Sequence, residues 1–290
     1  MSRNVLLTSS NLRLDSRRPL EVRPITCTLD VLKGLEIDGS ASVEQGLTRV
    51  SVSVCGPREP RAARGAGNAR QDRVVINVEI QTATFSGVDR RKRGRNDRRT
   101  VEMASSIKNT FEPVIMGQLY PRAQIDIYVI ILQQDGGTLS AAINATSLAL
   151  SHAGIAMISP IASISVACLH DTPLLDPCGQ EESELPFLTV ACLATRPIEM
   201  LDGEARDDAM EGDEEDRLGK LTLVTLESRL STDRFEGMMR LGQQACVVIG
   251  QELERVTRAW AEPLSARIRS RGLGAGSKLA VQSEAMETNA

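Results

Sequence analysis

The sequence predicts an α+β domain with mixed, largely antiparallel β-sheets and packed helices. Three observations carry this. Segments rich in Val, Ile and Thr alternate with helical patterns in the order strands, helix, strand, helix, strands, helix. Glycines at 39, 46 and 56 punctuate the first strands at hairpin spacing. Apolar residues make up 41% of the chain and aromatic residues only 2%, so the core must be built from Val, Ile, Leu and Ala. A chain of 290 residues is long enough to bury a sizeable core, and no repeat of 20–50 residues is visible in it.

Residues 1–13 read as a flexible N-terminal arm, followed by a polar, Pro-punctuated entry through Pro19 and Pro24. Ile25 to Leu35, Ser40 to Glu44 and Thr48 to Val54 read as successive strands of an antiparallel meander. Residues 56–71, rich in Gly, Arg, Pro and Ala, read as a loop. Arg73 to Thr84 is a strand. A basic run follows, with Arg90, Arg91, Lys92, Arg93, Arg95, Arg98 and Arg99. Beyond it Val101, Ala104, Ile107, Phe111 and Val114 keep helical spacing, and Pro113 shortens that helix.

Arg122 to Leu132 is a strand that feeds Asp135-Gly136-Gly137-Thr138. A helix rich in small residues runs from Thr138 and stops at Gly154, a residue suited to a left-handed C-terminal position. Ile161 to Leu169, Thr189 to Ala194 and Leu221 to Glu227 are further strands. Residues 202–217 form an acidic insertion expected to be a solvated loop. Ser231 or Asp233 caps a last helix, whose apolar face runs from Phe235 to Trp260. The tail, 261–290, reads as disordered. The domain proper is therefore 14–260.

The totals exclude several function classes. The net charge of -4 gives no global basic field, so nucleic acid must be met by a local patch. Six cysteines without a Cys-x-x-Cys pair and two histidines argue against zinc, and imply free, mostly buried thiols in a reducing compartment. No apolar run approaches the ~18 residues of a membrane span. His152 is placed to complement a helix dipole. The Asn144-Ala145-Thr146 sequon falls within a helix, where it carries no meaning as a glycosylation site.

Strand, Gly-Gly turn and helix N-terminus form a physical recipe for holding an anion. Glycine lets the backbone approach, and the first-turn N–H groups lack intrahelical partners. Gly136, Gly137 and the hydroxyls of Thr138 and Ser140 are the candidate donors.

The motifs resemble those of the ribonuclease-PH-type family. Arg17-Arg18-Pro19 with Glu21-Val22-Arg23 is similar to its N-terminal signature, and Gly39-Ser40-Ala41 with Gly46-Leu47-Thr48 to its G-S…G-x-T stretch. Tyr120 to Ile127, Gln133 to Thr138 and Ala149 to Met157 resemble its central block. Within the family the chain looks most like the eukaryotic RNA exosome ring subunit of the lineage of the archaeal catalytic subunit. The resemblance implies a ribonuclease PH-like domain in a ring of such subunits. It also implies S1/KH-domain cap subunits, a separate hydrolytic RNase II-type exoribonuclease, single-stranded RNA, and a location in nucleus, nucleolus and cytoplasm.

Active relatives cut RNA from the 3′ end with inorganic phosphate, which needs a cation beside the backbone donors and acidic residues for Mg²⁺ or a proton. Where they carry arginine after the Thr or Ser, this chain has Leu139. Where they carry two aspartates six apart, it has Asp176 and Glu182. The resemblance thus implies a vestigial phosphate site (Gly136, Gly137, Thr138, Ser140) and vestigial catalytic candidates (Asp176, Glu182). It implies RNA contact through Arg98 and Arg99, with no metal and no cofactor. The expected function is a non-catalytic ring subunit guiding RNA through the pore for rRNA processing and RNA turnover. An active phosphate-dependent 3′–5′ exoribonuclease with Mg²⁺ is the alternative, and a relative acting on a small phosphorylated molecule the third reading.

Overall fold

The computed structural model describes residues 6–8, 10, 12–32, 37–59, 74–87, 90, 97–170, 172–194 and 219–287, with side chains beyond 267 described only at 269. The acidic insertion 202–217 and the basic residues Arg91, Lys92, Arg93 and Arg95 lie outside the described residues.

Two sheets carry the fold. The first holds β1 (Ile25–Leu29), β2 (Gly39–Gln45), β3 (Thr48–Arg58), β4 (Val75–Thr82) and β5 (Gln124–Gln133) in the order β1-β2-β3-β5-β4. All its pairings are antiparallel except β4 with β5. That parallel pair needs a long crossover, and α1 (Arg98–Phe111) supplies it, ending short of Pro113. The second sheet holds β6 (Ile161–Leu169), β7 (Thr172–Leu175), β8 (Phe187–Leu193) and β9 (Leu221–Leu226), all antiparallel in the order β7-β6-β8-β9. The turn Gly46-Leu47 joins β2 to β3, with Gly46 at φ +59°, where an L-residue would be strained.

The helix α2 (Thr138–His152) lies between the sheets, against β2 and β3 on one side and β6 on the other. Its composition explains the position. Ala141, Ala142, Ala145, Ser147 and Ala149 are all buried, and small side chains let both sheets come close. Asn144 is wholly buried and serves the open edge of β6. Its Oδ1 accepts the Ser163 N–H at 2.7 Å and its Nδ2 donates to the Ser163 carbonyl at 2.9 Å, where β7 no longer pairs. The Ser147 hydroxyl accepts the Ile161 N–H in the same way. Gly154 (φ +71°) closes the helix as expected. The Ile155 N–H reaches the Leu150 carbonyl and the Gly154 N–H reaches that of Ser151, the two bonds of a Schellman motif.

A Cβ at Gly39 would lie 2.4 Å from the Ala149 carbonyl oxygen and 2.7 Å from the Ala153 Cβ. We expect Gly39→Ala to push α2 off β2 and to destabilise the domain by about 1–3 kcal/mol in urea unfolding.

Two expectations need correcting. The arm 1–13 is not loose at its end. Leu7 bridges Arg13, Leu6 is buried, and the Arg13 side chain is wholly enclosed because Glu181 compensates its charge. The segment between β6 and β8 is structured. It holds β7, an edge strand that tolerates Pro173, and the six-residue α3 (Gly179–Glu184). The tail 261–290 is not disordered over its length: the last helix, α4 (Thr232–Glu287), runs on through Pro263. A proline removes one N–H, here the bond to the Ala259 carbonyl, while the Ala, Arg, Leu and Glu residues around it are good helix formers. His152 lies in the last turn of α2, the place from which it complements the dipole, and it has specific partners as well. Its Nδ1 accepts the Ser40 N–H at 3.1 Å, and its ring meets Trp260 of α4 edge-on at 4.6 Å. It joins β2, α2 and α4.

The core runs through Val43, Val50, Val52, Ile127, Val129, Ile143, Ile164, Val190 and Leu253, without a large aromatic contribution apart from Phe111. All six cysteines are free, and all but Cys27 are buried. Among the described residues no helix is long and apolar enough to cross a membrane.

Candidate functional site

The Gly-Gly turn is built as the sequence predicts. Gly136 (φ +77°) and Gly137 (φ +60°) are both left-handed, and a Cβ at Gly136 would fall 2.4 Å from the Pro177 carbonyl oxygen. Two side chains from the N-terminal sheet region lock the turn. The Thr48 hydroxyl accepts the Asp135 N–H at 3.1 Å and donates to the Gly136 carbonyl at 2.7 Å. Arg23 donates to the carbonyls of Asp135 at 2.5 Å and Gly136 at 3.3 Å.

The predicted donors divide into two groups. Gly137 and Thr138 face a cavity of about 680 Å³, and Thr138 is 5% exposed with no hydrogen-bond partner for its hydroxyl. Gly136 and Ser140 shape the turn instead. The Ser140 side chain is wholly buried, and its hydroxyl donates to the Gly137 carbonyl at 2.8 Å, so it is not directed at an anion in the cavity. Leu139, where the resemblance implies a cation, lines the cavity and packs half-buried against the core.

Asp176 and Glu182 both approach Gly137: Asp176 Oδ1 would lie 3.6 Å from a Cβ built there, and Glu182 Oε2 accepts its N–H at 3.0 Å. Asp176 adopts φ +53° and is wholly buried. Its carboxylate accepts the Arg23 Nε at 2.8 Å, Nη2 at 2.6 Å and backbone N–H at 3.0 Å, with Arg17 Nη1 at 3.8 Å. These contacts make it a latch between Arg23 and the Gly-Gly turn. Burial works against the Arg23 charge, and the Asp176 carboxylate outweighs it, so the guanidinium pKa stays above its ordinary value. Glu182, on α3, does reach the cavity. Its Oε2 accepts the Gly137 N–H at 3.0 Å, and Arg99 Nη2 stands 3.8 Å from its other oxygen. Burial pushes the Glu182 carboxyl pKa up, and the nearby Glu227 adds to this.

The neighbouring Glu181 points the other way, onto Arg13. It accepts Arg13 Nε at 2.9 Å and makes a second, shorter bond to Nη2. Burial opposes its ionisation, but the Arg13 hydrogen bond prevails and lowers the pKa below the usual glutamate value.

Arg98 and Arg99 begin α1 and line the cavity. Both have internal partners. Arg98 Nε donates to Glu102 at 2.9 Å, and Arg99 faces Glu182. The Arg98–Glu102 pair is exposed, with Arg98 at 90%, and such pairs are worth about 0–1 kcal/mol, so an RNA phosphate can replace Glu102; the Arg99 side chain is 54% exposed over a Glu182 that is 15% exposed. Asp97, Glu102, Glu182 and Glu227 line the same cavity, giving it more acid than base.

Sequence reading missed Arg13, Arg23, Thr48 and Glu181 as determinants of the site. Arg23 and Thr48 stood within the quoted motifs, but no spacing rule joins residues so distant along the chain.

The chain is similar to known proteins over most of its length. The profile described as "3′ exoribonuclease family, domain 1" of RNase PH matches residues 21–156. The chain is 35% identical over 254 residues to the human exosome complex component RRP41, covering 87% of this chain and 93% of that one. It is 33% identical to the exosome complex component ski6 of Schizosaccharomyces pombe, covering 92% of this chain and 100% of that one. It is 34% identical to the exosome complex component Rrp41 of Methanopyrus kandleri, covering 86% and 93%. Among solved structures, rice Rrp46 superposes with a TM-score of 0.66 at 21% identity, over 84% of this chain and 100% of that one. The Archaeoglobus fulgidus exosome with RNA bound to the active site superposes with a TM-score of 0.64 at 18% identity, over 84% and 93%.

Proposed function

The chain belongs to the RNase PH family of 3′ exoribonucleases, and from that premise we propose that it is a non-catalytic ring subunit of an RNA exosome. It scaffolds the ring and guides single-stranded RNA toward degradation and rRNA processing by a partner nuclease. One observation carries the reading: the cavity side of the Gly-Gly turn presents Leu139 and the Glu182 carboxylate, where phosphorolysis needs a cation. Losing a clamp of that kind costs about 10²–10³ in rate. The burial of Asp176 under Arg23 supports the same conclusion, since a carboxylate with its oxygens held by a guanidinium is withdrawn from acid–base work and from Mg²⁺.

The partners proposed are other RNase PH-like ring subunits, S1/KH-domain cap subunits and a hydrolytic RNase II-type exoribonuclease. The proposed location is nucleus, nucleolus and cytoplasm. RNA meets the chain at Arg98 and Arg99, which present exposed guanidinium groups to backbone phosphates without reading sequence.

The second reading is a working phosphorolytic enzyme. What favours it is the pair Glu182 and Glu227 on the cavity wall, which would contribute to holding Mg²⁺ against the RNA.

The test is an assembled ring lacking its hydrolytic nuclease, given RNA with a free 3′ end. We expect no phosphate-dependent shortening and no nucleoside diphosphates. Replacing both Arg98 and Arg99 by alanine should weaken RNA retention and flatten its salt dependence by about 0.7 logarithmic units per arginine. Accumulation of nucleoside diphosphates on adding phosphate would overturn the proposal.

A further inference from the structure

The first turn of α2 already carries an anion, and the protein supplies it. The Gly137 N–H, at the positive end of a fifteen-residue helix, donates to Glu182 Oε2 at 3.0 Å. Arg99 flanks the other carboxylate oxygen at 3.8 Å, and the Glu182 side chain is only 15% exposed. This contact is built from behind. Glu181 is held by Arg13 and accepts the Cys178 N–H at 3.0 Å in a capping box, which fixes the rotation of α3. With Glu181 turned inward, the next residue on the helix is turned toward α2.

The seat has one donor left over. Thr138 lines the same cavity and is nineteen-twentieths buried by its 5% exposure, and its hydroxyl has no partner. A carboxylate has two oxygens, and those of Glu182 face Gly137 and Arg99. A tetrahedral oxyanion has enough oxygens to take the threonine as well.

We propose that Glu182 is a built-in surrogate for phosphate: its carboxylate occupies the anion seat formed by Gly137, Thr138 and Arg99 and keeps inorganic phosphate out. This rests on the non-catalytic reading above and gives it a physical cause beyond the missing cation. An incoming phosphate must displace a carboxylate from its hydrogen bond and then sit beside it and Glu227 as a like charge.

The experiment is a titration of the full-length chain with inorganic phosphate, against chloride at matched ionic strength, followed by ³¹P line broadening and by melting temperature. Wild type should show no phosphate-specific change. Glu182→Gln, which removes the charge, and Glu182→Ala, which removes the group, should gain phosphate binding of about tenfold or more. By population arithmetic, a gain of about tenfold corresponds to a seat that is open about one-tenth of the time in wild type. Adding Thr138→Val to Glu182→Ala should remove the gain.

Equal phosphate affinity in wild type and both Glu182 variants would overturn the proposal, as would a gain that survives Thr138→Val. The two readings fail separately. Phosphate-driven RNA shortening by the wild-type ring overturns the non-catalytic function. An inert wild type whose Glu182 variants stay inert overturns only the surrogate.

Discussion

Arg23→Ala is expected to leave the domain at or beyond the edge of unfolding. The Arg23 side chain is 6% exposed and its guanidinium bonds the Asp176 carboxylate through two nitrogens, while also reaching the carbonyls of Asp135, Gly136 and Pro177. Truncation leaves Asp176, at 0% exposure, as a buried carboxylate with its main partner gone. Breaking a buried pair in this way costs about 3–5 kcal/mol, set against a total stability of about 5–15 kcal/mol for a typical domain. The turn that carries Gly137 loses its clamp at the same time. Arg23→Lys keeps a charge but not the planar fork, and should fall between wild type and alanine. Urea unfolding measures all three. Adding Asp176→Asn to Arg23→Ala should recover part of the loss, because the charge left behind is the expensive component. A loss under about 1 kcal/mol for Arg23→Ala would show that the latch is not what holds the turn.

Much of the fold was legible because its elements announce themselves locally. The β-branched runs at Thr48 to Val54 and Ile161 to Leu169 became β3 and β6. The Gly-Gly turn and the Gly154 stop required only backbone chemistry, and both stand where expected. The segment from Thr172 to Glu184 was illegible for the opposite reason. A four-residue strand containing Pro173 and a six-residue helix capped by Cys178 carry no standard signal. Tertiary charge compensation makes them: Arg13 and Arg23 come from more than 150 positions upstream to meet Glu181 and Asp176.

The site shows the same division. The family resemblance offered Asp176 and Glu182 as a pair. A left-handed backbone at Asp176 turns its carboxylate into the interior, and only Glu182 reaches the cavity. Spacing along a chain fixes which residues neighbour one another in sequence, while the direction of a side chain depends on φ at a single position and on which cation waits inside.

The second large effect belongs to Glu181, and it links stability to the site. Arg13 and Glu181 are both at 0% side-chain exposure, so Glu181→Gln strands a buried guanidinium, and about 3–5 kcal/mol should be lost. The pH dependence separates this residue from its neighbour. The folded-state pKa of Glu181 is below the ordinary 4.5, so its contribution is present in full above 4.5 and is lost as pH falls through the lowered value. Glu182 has the opposite sign. Its folded-state pKa is above 4.5, so its ionisation costs the fold stability as pH rises through that window. Between neutral pH and pH 3, Glu181→Gln should therefore flatten the acid loss of stability, while Glu182→Gln should steepen it, as read from urea midpoints. If both variants shifted the profile the same way, the division of labour across α3 would be wrong. Because the Arg13 contact fixes the rotation of α3, Glu181→Gln should also free Glu182 from the Gly137 N–H. A variant chosen for its stability effect would then open the same anion seat that Glu182→Ala opens directly, although the residue altered faces away from it.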